Sequence, residues 1–100
     1  MKIVAIGTLR RFWERCPDSE QALKACYDEA KHAKWTTPQQ IRNHYASASF
    51  VGKNRVVFNI KGNAYRLIVA VAYRFQAVYI KFVGTHAEYD RVDAETVEDL

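Results

Sequence analysis

Between residues 53 and 83 the chain alternates apolar and polar side chains with a period of two. The alternation comes in three runs separated by short breaks, a pattern that leaves little besides an antiparallel sheet. Val56, Phe58 and Ile60 alternate with Arg55, Val57 and Asn59, and Gly62-Asn63 is a tight-turn signal. Tyr65, Leu67, Val69, Val71 and Tyr73 then alternate with Arg66, Ile68, Ala70 and Ala72. After a poorer turn at Phe75-Gln76, Val78, Ile80 and Phe82 alternate with Tyr79, Lys81 and Val83. With a two-residue turn in each hairpin, Ile60 faces Tyr65, Phe58 faces Leu67 and Val56 faces Val69. In the second hairpin Tyr73 faces Val78, Val71 faces Ile80 and Val69 faces Phe82. All of these fall on one side of the sheet, which a one-residue slip would scramble.

The first half reads as helix. Ile3, Ile6, Leu9, Phe12 and Trp13 recur at near-helical spacing, and Pro17 ends that helix. Asp18 is the expected N-cap of a second helix, with Gln21 completing a capping box and Leu23, Cys26, Tyr27 and Ala30 inward, to about Lys34. Thr37-Pro38-Gln39-Gln40 starts a short third helix to about Tyr45, and Ala46-Ser47-Ala48-Ser49 reads as loop. Helices first and a meander after them predict an α+β fold in a single domain over residues 1–100, the helices packed on one face of the sheet.

Charge is distributed unevenly. No Asp or Glu lies between Glu29 and Glu88, while the same stretch carries nine Lys and Arg residues. Six acids then crowd the end: Glu88, Asp90, Asp93, Glu95, Glu98 and Asp99. The sheet face away from the helices is expected to collect Lys53, Arg55, Asn59, Lys61, Arg66, Tyr79 and Lys81, with Arg74 at a strand end. Like charges gathered on one face cost stability unless an anion offsets them, so a nucleic-acid partner is expected. The acidic end has two readings, a last helix or a solvated tail.

The chemistry open to such a face is narrow. His86 and Tyr89 are three residues apart, on one side of a helical turn close to Tyr65, and an imidazole there suits proton transfer. Arg66 could fork onto a phosphate, and Lys81 could add a point charge. The basic face has no carboxylates for magnesium, and His32, His44 and His86 have no ligand spacing. No metal and no cofactor is expected. An enzyme of this kind would cleave RNA, whose 2′-hydroxyl supplies the nucleophile. Cys16 and Cys26, without a Cys-x-x-Cys pair, are expected as buried reduced thiols. No apolar run is long enough to cross a membrane and no signal-peptide pattern opens the chain, so a cytoplasmic location with no membrane partner is expected.

Two stretches resemble a known family. Val57-Phe58-Asn59-Ile60-Lys61-Gly62-Asn63-Ala64-Tyr65-Arg66-Leu67-Ile68-Val69 is similar to the central signature of HigB-family toxins, within the RelE/ParE superfamily. Phe82-Val83-Gly84-Thr85-His86-Ala87-Glu88-Tyr89-Asp90 resembles the second signature, and Asp93-Ala94-Glu95-Thr96-Val97 its continuation. The resemblance implies a RelE-like, small curved antiparallel sheet with helices on one side. It implies a toxin that cleaves mRNA on the ribosome without metal. It implies neutralisation by a HigA-type helix-turn-helix antitoxin, through which alone operator DNA would be contacted. Asn59, Arg66, Lys81, His86 and Tyr89 are the site residues it suggests, with the general base and acid left open. The competing reading is a non-catalytic relative, either a gyrase-type poison or a plain RNA-binding domain.

Overall fold

A computed structural model describes residues 1–98; Asp99, counted above among the terminal acids, lies outside the described residues. The strands are β1 (Lys2–Val4), β2 (Ser49–Val51), β3 (Arg55–Ile60), β4 (Tyr65–Ala72) and β5 (Ala77–Thr85), and the helices are α1 (Ile6–Arg15), α2 (Glu20–His32), α3 (Pro38–His44) and α4 (His86–Tyr89). The fold is α+β. One sheet runs in the order β1-β5-β4-β3-β2, antiparallel except for β1, which pairs parallel to β5. No described helix is long and apolar enough to cross a membrane.

The first hairpin has the expected register: Ile60 opposite Tyr65, Phe58 opposite Leu67, Val56 opposite Val69. Its connection is turned by Lys61 (φ 53°) and Gly62 (φ 63°), both in the left-handed region that glycine favours, and Ala64 N donates back to Lys61 O at 3.2 Å. The second hairpin differs from expectation. Phe75-Gln76 is not a two-residue turn; Tyr73–Phe75 form a 3-10 turn and Gln76 (φ 52°) closes it. Val71 therefore faces Val78, and Val69 faces Ile80, two residues from the expected partners. A two-residue shift keeps every side chain on its face.

Further along, the register slips by one between Ile68 and Val69, with Lys81 as the extra residue of β5. A bulge of this kind reverses the alternation beyond it. Phe82, expected toward the helices, instead pairs with Ile68 on the far face, and Val83 takes its place in the core. The core joins Leu9, Phe12, Leu23, Cys26, Trp35 and Ile41 to the inward residues of β3, β4 and β5.

Three more expectations are corrected in the first half. Ile3 belongs to a strand rather than to the first helix, and Ser49 begins a strand rather than ending a loop. Ser19, not Asp18, precedes α2, and neither caps it with a side chain. Asp18 instead accepts hydrogen bonds from the Tyr65 hydroxyl and, at 3.0 Å, from Lys61 Nζ, tying the helical half to the β3–β4 turn. Donating that bond to the Asp18 carboxylate pushes the Tyr65 phenol up to about 12. The α3 start is as expected, with the Thr37 side chain accepting from Gln40 N. Both cysteines are free thiols; Cys26 is buried, and burial pushes its thiol up to about 11.

Candidate active site

The turn from β5 into α4 builds one end of the far face. Thr85 caps α4 in a reciprocal pair: Glu88 N donates to Thr85 Oγ1 at 3.1 Å, and Thr85 N donates to Glu88 Oε1 at 2.9 Å. Arg15 of α1 holds the same carboxylate at 3.2 Å. A Cβ at Gly84 would lie 2.6 Å from the tip of the Phe82 ring and 3.2 Å from Glu88 Cβ, so a side chain there would displace the Phe82 ring. His86 N donates to Ala64 O, which joins α4 to the β3–β4 turn.

On this platform four expected residues come together. Arg66 lies opposite Asn59 on β3 and Gly84 on β5. Its Nη1 donates to Asn63 O at 3.0 Å and Tyr65 O at 3.2 Å, and its guanidinium lies 5.8 Å from the centre of the Tyr89 ring. It has no carboxylate partner among the described residues, so its charge is available to an anion. His86 is exposed, and its Nδ1 faces Asp90 Oδ2 at 3.2 Å, which leaves Nε2 for a substrate. Arg66, Asn59, Tyr89 and His86 thus provide a fork, an amide, a phenol and an imidazole around one strand end.

The remaining expected residues stand apart. Lys81, the bulged residue, is three positions from Gly84, about 10 Å along the strand. Its Nζ turns to Glu98 at 2.8 Å. Arg55 is 5% exposed rather than open to a ligand: it donates to Ala94 O, Val97 O and Glu98 Oε1. Lys61 pairs with Asp18 on the helical side rather than joining the basic face. Lys53 is exposed in the β2–β3 turn. Arg74 sits in the turn after β4, about 20 Å from Arg66 by strand rise, with its guanidinium over Phe75.

The acidic end accounts for these changes. It is neither a full helix nor a solvated tail. After α4 it crosses the far face, makes one helical turn at Asp93–Val97, and is fastened by Gly52 N donating to Glu95 and by the three Arg55 bonds. Val57 and Ile68, which alternation puts on this face, are buried at 3% and 0% exposure. Sequence reasoning missed Asp90, Glu88 and Arg15 as supports of the site. The first two left a signal, the four-residue spacing of His86 and Asp90 and the Thr-x-x-Glu cap. Arg15 left none, because it meets Glu88 only through the fold. No three His, Cys, Asp or Glu side chains among the described residues gather as a metal site.

Glu88 supplies a pH test. The Thr85 amide, then Arg15, hold its carboxyl below the usual range. Its contribution is complete above about 4.5, the ordinary value, and is lost as pH falls through the lowered folded value. Asp18 and Glu98 are lowered too, by Tyr65 and by Lys81 first, and act in the same direction. Stability to denaturant should be flat from neutral pH to about 5 and fall below it. Glu88→Gln, which keeps an acceptor for the cap, should shrink that fall. An unchanged acid limb in this variant would show that Glu88 does not hold α4.

Comparison with known proteins agrees over most of the chain. Residues 19–92 match a family model described as HigB toxin, the RelE-like toxic component of a toxin–antitoxin system. The "mRNA interferase HigB" of Escherichia coli O6:H1 is 24% identical over 94 residues, covering 92% of this chain and 91% of that protein. The "mRNA interferase toxin HigB" of Escherichia coli K12 is 30% identical over 90 residues, 89% of this chain and 68% of that protein, as is its Shigella flexneri counterpart.

Proposed function

This chain belongs to the HigB family of RelE-like toxins, the toxic components of toxin–antitoxin systems, and we propose that it is an mRNA endoribonuclease that works on the ribosome without metal. The observation that carries the reading is the uncompensated Arg66 over the Tyr89 ring, with His86 on the same helical turn. A pure binding surface needs the cation but not the two proton-carrying groups next to it. Relatives named as mRNA interferases support the substrate class.

Cleavage of RNA through its own 2′-hydroxyl needs a base to take that proton, an acid to protonate the leaving 5′-oxygen, and positive charge on the phosphorus-bound oxygens. Arg66 is placed to fork onto the scissile phosphate. Asn59, its cross-strand neighbour, orients the nucleotide. His86, braced by Asp90, and Tyr89 share the proton transfers, with Lys81, Lys53 and Arg74 engaging flanking backbone, while Lys61, held by Asp18, takes no part. No step calls for a metal ion. A HigA-type helix-turn-helix antitoxin neutralises the toxin in the cytoplasm and carries the contact with operator DNA. The gyrase-poison alternative lacks a use for the His86–Asp90 pair.

The test is cleavage of a translated message in a reconstituted system, with ribosomes and without. Cleavage only when ribosomes are translating is expected. Cleavage of free message at the same rate would remove the ribosome from the account. Loss of cleavage on a chelator that leaves ribosomes intact would bring a metal in.

A further inference from the structure

Two cations of the far face converge on a single carboxylate. Arg55 Nη2 donates to Glu98 Oε1 at 2.7 Å, and Lys81 Nζ donates to Glu98 Oε2 at 2.8 Å. One oxygen goes to each cation, as a phosphate would present two of its oxygens to the same pair. We propose that Arg55 and Lys81 form a second phosphate subsite, for RNA backbone next to the scissile position, which the Glu98 carboxylate occupies in the free protein. The proposal rests on the reading of this face as the RNA side.

The clip is built for exchange rather than for permanent closure. Arg55 is nearly inaccessible and is aimed by two backbone carbonyls, those of Ala94 and Val97, which stay in place if Glu98 leaves. Glu98, by contrast, is half-exposed, as is usual for a surface ion pair of small net value. Swinging one side chain outward opens both cations while the tail's main chain remains fastened through Gly52 and Glu95. An RNA phosphate entering the clip also releases its condensed counterions, a gain that Glu98 does not have. Lys81 lies about 10 Å along the strand from the residue facing Arg66, so the clip serves a neighbouring phosphate rather than the reacting one. The bulge that puts Lys81 out of the ladder lets its side chain reach Glu98 from β5 while Arg55 reaches it from β3.

The experiment is fluorescence anisotropy of the full chain with a labelled single-stranded RNA, fully 2′-O-methylated so that it cannot be cut, over a series of salt concentrations. Glu98→Gln should bind about fivefold tighter than the unaltered chain, the size of a released surface pair. Its salt dependence should steepen by about 0.7, the increment for one added phosphate contact on a single strand. Glu95→Gln removes the same charge from the same tail and keeps an acceptor for Gly52 N; it should stay within about twofold. Lys81→Ala should cancel the gain made by Glu98→Gln. Equal affinity for Glu98→Gln and the unaltered chain, or equal gains for Glu98→Gln and Glu95→Gln, would overturn the subsite. Arg66→Ala separates the two readings. If it weakens binding while Glu98→Gln changes nothing, only the clip fails. If Glu98→Gln tightens binding while Arg66→Ala changes nothing, the clip stands and the placement of the reacting phosphate at Arg66 fails.

Discussion

Arg66→Ala is expected to lower message cleavage by about 10²- to 10³-fold, the usual cost of removing one donor aimed at developing charge. Growth arrest on induction should disappear with it. The reason lies in what holds the guanidinium. Its bonds go to the carbonyls of Asn63 and Tyr65 and its face lies against Tyr89, so no described carboxylate has already neutralised it. The side chain is only half-buried and Asn63 is exposed, so truncation leaves carbonyls that water can reach. The folded state should therefore change by less than about 1 kcal/mol. Arg66→Lys keeps the charge but not the planar fork, and should recover part of the rate. A variant as toxic as the parent, or one that fails to fold, would remove Arg66 from the site.

Ile68→Ala is expected to destabilise the protein by about 3 kcal/mol, within the range for a fully buried aliphatic residue. Sequence alternation puts Ile68 on the side of the sheet away from the helices, where an open face would make the substitution nearly neutral. In the structure it is 0% exposed, paired across β5 with Phe82 and across β3 with Val57. Around Ile68 the sheet is thus buried on both sides: helices cover one, and the segment after α4 crosses part of the other, leaving Asn59, Arg66 and Tyr79 more open. Equilibrium denaturation reads the difference directly. A loss under about 1 kcal/mol would mean that the segment does not cover the sheet in solution.

How far this was legible in the sequence depends on which physical signal each element leaves. The first hairpin was, because Gly62 fits a left-handed turn and the strands beside it alternate cleanly. The second was legible only in its faces: alternation does not register a two-residue shift, and Phe82-Val83, apolar at both positions, hides the bulge before it. Strands β1 and β2 have three residues each, too few to show a period, and Ile3 to Ile6 fits helical spacing as well. At the candidate site, the placement of Arg66, His86 and Tyr89 at the turn into α4 was legible, because the strand end and the three-residue spacing put them there. The fate of Arg55 and Lys81 was not. A cation on a strand looks the same whether its partner is a ligand or the chain's own tail, and Arg55 is aimed by backbone carbonyls that leave no mark in residue type.

The most direct test of the central claim is a map of message 5′ ends in cells shortly after the chain is induced, with Arg66→Ala and His86→Ala beside it. New ends inside translated reading frames, absent in the Arg66 variant and reduced in the His86 variant, are the predicted result. Growth arrest with intact message would contradict the account and move the protein to the class of binding poisons.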